Sequence, residues 1–244
     1  MKCKLCGNDT TLIKAHIIPA GLFRRLQKGM KPLEMITNKA GEYTKRAPVG
    51  VYDKTIVCSK CECIWQEWDN YAQKLLTDKL VKWQVRYSES KKICYIIDNY
   101  DYKKLKLFFI SMAWRASVSS ASFFSKVSLG PFEDIAKKHI LDNDPGDCDT
   151  FSVTLAKFDH PLAKSILDPH EDKHSGINYF RFYLAGYIAY IKVDNKPAPM
   201  PLSQFALDAR KSLYIICRDF EISKELKLMV NMIKSDPRNK TLLK

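Results

Sequence analysis

The spacing of apolar side chains along the chain predicts four helices. Apolar residues recur at three- and four-residue intervals in each of these segments, as on one face of an α-helix. Pro131 precedes the third helix, where proline suits the first turn, and Ser223 is a suitable N-cap for the fourth. The predicted helices run from Glu62 to Trp83, Tyr102 to Phe124, Phe132 to Leu141 and Ser223 to Lys234.

Runs of β-branched and aromatic residues predict strands, most of them in the second half of the chain. The first 63 residues are instead rich in cysteine, glycine and turn residues. We therefore expect an α+β fold in two parts: a small module in residues 1–82 and an appended mixed α/β region in residues 83–244. The predicted strands run from Lys92 to Ile97, Phe151 to Phe158, Tyr179 to Val193 and Ser212 to Cys217.

The charge of the chain bears on its partners. Its 40 Lys and Arg residues against 27 Asp and Glu residues give a net charge of +13. Such a surplus favours a polyanionic partner, although a lysine-rich surface would produce the same number. The longest apolar stretch, Tyr179 to Val193, is interrupted by two charges and is shorter than the roughly 20 residues of a membrane span. With no apolar run after Met1, we expect a cytoplasmic protein without a membrane partner.

Five of the eight cysteines lie within residues 3–63, and four of them form two pairs. The pairs Cys3-x2-Cys6 and Cys58-x2-Cys61 suit one tetrahedral Zn²⁺, each pair holding the metal from a tight turn. Cys63 is an alternative to Cys61, but the latter keeps the same spacing in both pairs. We predict a structural zinc site. The remaining cysteines are expected to be small apolar core residues: Cys94, Cys148 and Cys217.

The segment Ala15-His16-Ile17-Ile18-Pro19 lies between the two cysteine pairs. In this combination the chain resembles the HNH endonucleases, also called ββα-metal or His-Me finger nucleases. It is most similar to a bacterial subgroup with a Tyr-Asp-Lys step before the second pair and an acidic residue after it, here Tyr52-Asp53-Lys54 and Glu62. The match covers about residues 1–75. It departs from the common family pattern at Ala15, Asp53 and Glu62, where Asp, Asn and His or Asn are usual.

The resemblance implies a zinc-stapled ββα-metal finger in which His16 is the general base. A histidine with an ordinary pKa near 6.5 suits proton abstraction from water. Glu62 occupies the family's position for a ligand of the catalytic cation, Mg²⁺ or Mn²⁺. Asp53 either holds the loop and orients His16, or contacts that cation. Asp69, two helical turns after Glu62, is a second candidate ligand, with a solvated charge or a helix salt bridge as the alternatives.

The function that follows is a metal-dependent endonuclease that hydrolyses phosphodiester bonds in DNA, in bacterial phage defence or a mobile element. The alternatives are a non-catalytic zinc module that binds nucleic acid and a protein-interaction subunit of a defence system, and either could act as a homodimer. A basic loop in residues 24–46 is predicted to contact phosphates, with a solvated surface as the alternative. Its candidate nucleic-acid-binding residues are Arg24, Arg25, Lys28, Lys45 and Arg46.

Two further features leave alternatives open. Arg115 lies in an apolar helical pattern next to Trp114. It is either a buried ion-pair partner or a phosphate contact, and we favour the ion pair. The segment from Asp159 to His174 holds three histidines among carboxylates. It is either a second metal site or a surface loop, and no known ligand spacing supports the metal, so we predict a loop.

Overall fold

A computed structural model describes residues 1–22, 34–35, 45–46, 51–78, 83–160, 167–184 and 186–235. The predicted phosphate contacts Arg24, Arg25 and Lys28 lie outside these residues. Lys45 and Arg46 form a short strand whose side chains are not described. No helix within the described ranges is long and apolar enough to cross a membrane.

The N-terminal part contains short strands followed by helix. Strand β1 pairs with β4 in antiparallel register, with His16 opposite Tyr52, and β2 pairs with β3. A single 3-10 turn at Cys63–Trp65 joins helices α1 and α2, so that the chain stays helical from Ser59 to Asp78. The elements are β1 (Ala15–His16), β2 (Glu34–Met35), β3 (Lys45–Arg46), β4 (Tyr52–Asp53), α1 (Ser59–Glu62) and α2 (Gln66–Asp78).

The described residues after position 82 form a sheet of seven strands in the order β5-β6-β11-β7-β10-β9-β8. Neighbouring strands are antiparallel except β11 and β7, which are parallel. Strands β9 and β10 form a hairpin in which Gly186 has a positive φ of 92°, a conformation that favours glycine. The strands are β5 (Gln84–Ser88), β6 (Lys91–Ile97), β7 (Val153–Phe158), β8 (His170–His174), β9 (Ile177–Leu184), β10 (Tyr187–Lys192) and β11 (Leu213–Arg218).

Helix α3 (Tyr102–Ser117) is the central element of the core. Its side chains are buried on every face from Leu105 to Ala116, as expected of a helix enclosed by other elements. It packs against α2 on one side and α4 (Phe132–Asp142) on another, and α5 (Lys224–Ser235) follows the sheet. One continuous hydrophobic cluster extends from Cys3 to Ile215, so residues 1–82 and the region after them share a core.

The predicted α+β fold class is confirmed, because the described residues combine helices with a seven-stranded mixed sheet. Three predicted strands and all four predicted helices lie within a few residues of the observed elements, apart from the end of the helix that begins at Tyr102; the predicted end of the first helix falls partly outside the described residues. The predicted helix from Tyr102 ends at Ser117 rather than Phe124, and the predicted strand from Tyr179 to Val193 is two strands. The loop predicted in the histidine-rich segment is wrong where β8 forms an edge strand.

Candidate active site

The two predicted cysteine pairs meet at one point. The Sγ atoms of Cys3, Cys6, Cys58 and Cys61 all lie within 4.8 Å of one another, and those of Cys3 and Cys61 are 3.6 Å apart. A tetrahedral site with Zn–S bonds of roughly 2.3 Å would place its sulfurs about 3.8 Å apart. This cluster could therefore hold a metal ion such as zinc, and it is the only such group of ligands within the described residues. Cys63 is exposed and lies outside it.

The backbone of the cysteine loops favours a negatively charged sulfur at Cys3, whereas burial and the neighbouring thiols raise the pKa of Cys61. Burial raises the pKa of the Cys3 thiol, but hydrogen bonds from the backbone of Cys6 and Cys58 outweigh it and lower the pKa to about 6. Gly7, directly after Cys6, has a positive φ of 76°, which lets its N–H turn back to the carbonyl of Cys3 at 2.8 Å. The first turn is thus shaped to present thiolate sulfur, the form that binds metals.

His16 and Glu62 line the same cavity. His16 is the last residue of β1, and Glu62 is the last residue of α1, directly after the second cysteine pair. The cavity has a volume of about 640 Å³ and is open to solvent on one side. Asp69 also lines it, from α2. The chain therefore gathers three of the predicted site residues, which are far apart in sequence, around one concave surface.

Glu62 is held in a half-buried environment. Burial raises the pKa of its carboxyl above the ordinary value, the neighbouring Asp69 raises it further, and Arg115 lowers it. A backbone hydrogen bond from His16 also lowers this pKa. The Oε2 atom of Glu62 is buried and accepts no hydrogen bond from the described residues. A buried carboxylate oxygen without a donor is costly, and a cation bound there would offset that cost.

Asp69 is paired with a guanidinium. Its Oδ1 and Oδ2 atoms accept hydrogen bonds of 2.8 Å and 2.9 Å from Nη2 and Nη1 of Arg115. Burial raises the pKa of Asp69, and the Arg115 charge opposes that shift. Because arginine keeps its proton in proteins, the pair remains an ion pair. The helix salt bridge predicted as an alternative is thus replaced by a salt bridge to a different helix, α3.

Asp53 does not line the cavity; it links its own loop to the segment after α3 through hydrogen bonds. Its Oδ1 accepts hydrogen bonds from the backbone and the hydroxyl of Thr55 at 2.7 Å and 2.6 Å. Its Oδ2 accepts three more, from the hydroxyl of Ser119 and from the backbone and hydroxyl of Ser120, at 2.8–3.0 Å. Burial alone would raise the pKa of Asp53, but these bonds keep it far below its ordinary value. The geometry favours the loop-holding alternative over contact with a cation.

A polar helical face completes the cavity, beyond the residues predicted from the motif. The cavity is also lined by Ser59, Gln66, Asn70 and Gln73. The last three are four and three residues apart, a spacing that brings side chains to one face of a helix. This spacing can be recognised in the sequence, but it does not identify a site, because polar residues at helical intervals usually form only the solvent-exposed face of a helix. Gly21 lies close to this face, since a β-carbon there would be 2.0 Å from the Gln73 side chain.

An aromatic residue supports His16 from the neighbouring strand. The Tyr52 ring lies edge-on to the imidazole, with ring centroids 6.3 Å apart, and the Lys14 ammonium lies 3.6 Å from the Tyr52 centroid. Tyr52 is directly opposite His16 in the β1–β4 register, which explains the contact. The exposed Lys14 thus places its positive charge on the aromatic ring that contacts the predicted base.

The histidine-rich segment forms an ion-pair network, separate from the cavity. In β8, His174 Nε2 lies 2.7 Å from an oxygen of Asp172, which also pairs with Arg181 of β9. Arg181 in turn contacts Glu225 at 3.0 Å. No second metal-ligand group is found here among the described residues. The network stabilises the sheet edge and the start of α5.

Comparison of the chain with models of known protein families, with curated proteins and with solved structures finds no match in any of the three.

Proposed function

We propose that this protein is a metal-dependent endonuclease of the HNH type that hydrolyses phosphodiester bonds in DNA. By family analogy alone, its setting is bacterial phage defence or a mobile element. The proposal includes a structural Zn²⁺ at the four cysteines and a catalytic Mg²⁺ or Mn²⁺ in the cavity. One observation carries it: His16 and Glu62, 46 positions apart by their numbers, line one cavity beside the cysteine cluster.

The order of the surrounding elements supports the same reading. A two-stranded antiparallel pair, β1 with β4, is followed by a continuous helical segment, and the cysteine cluster joins the loop that precedes β1 to the start of that segment. This is the order of elements expected for a ββα-metal finger. The net charge of +13 is consistent with a polyanionic substrate.

The proposed chemistry divides between two side chains. His16 takes the proton of the attacking water, a role that requires the neutral imidazole and an acceptor nitrogen facing the cavity. Glu62 supplies a carboxylate oxygen for the divalent cation, which when bound would stabilise charge on the phosphate and the leaving oxygen. The polar face that includes Gln66, Asn70 and Gln73 can donate hydrogen bonds to phosphate oxygens.

The direct test is to incubate plasmid DNA with the purified protein and Mg²⁺ or Mn²⁺. Nicking or linearisation that EDTA abolishes supports the proposal. DNA that is bound but never cut, under every divalent cation tried, would favour the non-catalytic zinc module instead. A protein that neither binds nor cuts DNA would favour the interaction subunit.

Glu62→Gln should weaken cation binding rather than proton transfer. The substitution keeps the shape of the side chain but removes its charge, so cleavage should fall by about 10-fold or more at low Mg²⁺. Because the base remains in place, activity should recover partly at higher Mg²⁺ or with Mn²⁺. The measurement is the cleavage rate as a function of cation concentration.

Glu67→Gln is the matched control for that variant. Glu67 lies on α2, in the same continuous helical segment as Glu62, but it is largely exposed and pairs with Lys104 at 2.6 Å outside the cavity. We expect its cation dependence to match wild type. Equal shifts for the two variants would mean that Glu62 acts only through the general charge of the helix.

Arg24 and Arg25 test the predicted phosphate contacts. If both contact phosphates, the double variant Arg24→Gln/Arg25→Gln should flatten the dependence of log affinity on log salt by up to about two units. Affinity is measured with a short duplex at several salt concentrations. Lys137→Gln/Lys138→Gln removes the same charge from α4, away from the cavity, and should leave the slope near the wild-type value. An unchanged slope in the arginine variant would assign the loop to a solvated surface.

A further inference from the structure

Arg115 connects the second half of the chain to the candidate site. It lies near the end of α3, and its side chain is fully buried. Besides Asp69, its Nη1 donates to the backbone carbonyl of His16 at 2.8 Å. Its Nε and Nη2 donate to the carbonyl and hydroxyl of Ser111, both at 3.2 Å. The guanidinium carbon lies 4.9 Å from the centroid of the Trp65 ring.

These contacts use the guanidinium completely. Arginine has five N–H donors in a rigid fork, and five acceptor contacts surround this one: two on Asp69, two on Ser111 and one on His16. No donor remains for a phosphate, which settles the choice between a phosphate contact and a buried ion pair in favour of the ion pair. The fork is instead directed at the main chain of the residue that carries the proposed base.

The same contacts separate the roles of the two carboxylates in the cavity. Asp69 has both oxygens on a buried cation, so a divalent cation that bound Asp69 would have to approach that guanidinium against its charge. Glu62 is less constrained, because its Oε2 accepts no hydrogen bond from the described residues. Of the two carboxylates that line the cavity, only Glu62 has an oxygen that accepts no hydrogen bond from the described residues.

We propose that Arg115 is a positioning residue for this site: it fixes the backbone of His16 and takes Asp69 as its counter-ion, leaving Glu62 to bind the catalytic cation. This inference rests on the proposed nuclease function. It assigns Asp69 to the support of the base, in place of the direct cation contact that the sequence allows. It also means that the site is built from both parts of the chain, since α3 supplies the residue that holds β1.

The first test uses Arg115→Lys in the full-length, zinc-loaded protein. Lysine keeps the charge but cannot form the planar fork, so it cannot hold Asp69 and the His16 carbonyl together. We expect kcat for DNA cleavage to fall by about 10-fold or more, with KM for DNA, zinc content and Mn²⁺ affinity unchanged, because small misplacement of a base is costly.

Arg218→Lys is the matched control. Like Arg115, Arg218 donates two hydrogen bonds to a buried carboxylate, here Glu225 at 3.0 Å and 3.2 Å. It is partly buried and lies on β11, outside the cavity. Because Arg218 has a structural role only, we expect Arg218→Lys to leave kcat unchanged. If Arg115→Lys also leaves kcat unchanged while the wild type cleaves, the positioning role is overturned.

The second test removes both charges together with Asp69→Asn/Arg115→Gln, which avoids leaving one buried charge unpaired. Mn²⁺ affinity, measured by titration without DNA, should stay within about 3-fold of wild type, whereas Glu62→Gln should lower it by at least about 10-fold. An equal loss in the double variant would make Asp69 a cation ligand and overturn the inference. A wild type that cleaves no DNA, with Glu62→Gln binding Mn²⁺ normally, would overturn the proposed function itself.

Discussion

Replacing His16 by alanine should abolish DNA cleavage or slow it by at least about 100-fold, the usual contribution of a positioned general base. The variant removes the proton acceptor but leaves Glu62 and the four cysteines in place. DNA binding and zinc content should therefore stay near wild type. The measurement combines single-turnover cleavage rates with a binding titration and metal analysis of the same preparation.

His139→Ala is the control for this variant. His139 is also an accessible histidine, at the end of α4, where its ring contacts the carbonyl of Asp144 at 2.8 Å outside the cavity. Its cleavage rate should equal that of wild type. If His16→Ala cuts DNA as fast as His139→Ala, the assignment of the base is wrong.

The second large effect is expected at the cysteine cluster. Cys58→Ser should reduce bound zinc from about one ion per chain to nearly none after dialysis against a chelator. Structural zinc contributes on the order of 10 kcal/mol to the folding of small zinc-finger peptides, so losing one thiolate ligand should destabilise the N-terminal part strongly. Thermal unfolding followed by tryptophan fluorescence would report it, because Trp65 and Trp68 are buried in that part of the core.

The contrast with a cysteine elsewhere makes this result specific. Cys94 is half-buried in β6, opposite Ile216 of β11, and belongs to no metal-ligand group in the described residues. Cys94→Ser should keep the zinc content of the wild type. Freshly purified wild-type protein without zinc would contradict the whole assignment.

The parts of the fold that follow a regular pattern could be predicted from the sequence. Helix α4 was located closely, because its apolar positions repeat with the helical period and a left-handed Asn143 ends it. Strand β8, His-Glu-Asp-Lys-His, has no apolar alternation, because an edge strand at this position is stabilised by ion pairs rather than burial. Strand β5, at the opposite edge, was not predicted either: Val85 and Tyr87 alternate with polar residues, but the strand has only five residues and is largely exposed.

The candidate site divides in the same way. Short-range spacing predicted the two cysteine pairs, whereas only the resemblance to HNH endonucleases implied that His16 and Glu62 belong to one site. The partner of Arg115 could not be predicted, because Asp69 lies on another helix and only tertiary packing brings the two together. The hydrogen bonds that use Asp53 come from Ser119 and Ser120, again from a distant part of the chain. Sequence motifs named the residues, whereas packing decides which of them remain available for chemistry.

The position of β11 has a consequence for the order in which the protein can assemble. It is the last strand among the described residues, yet it lies between β6 and β7. As the ribosome releases the chain, both of those strands present unpaired edges until Leu213–Arg218 emerges, and such edges invite pairing with other chains. Until then, the charges of Lys92 on β6 and Lys157 on β7 disfavour pairing of these edges with other chains. In the complete sheet both lysines pair with Asp159. A chain interrupted before Leu213 leaves two separate half-sheets, β5–β6 and β7–β10–β9–β8, rather than one sheet shortened at its border.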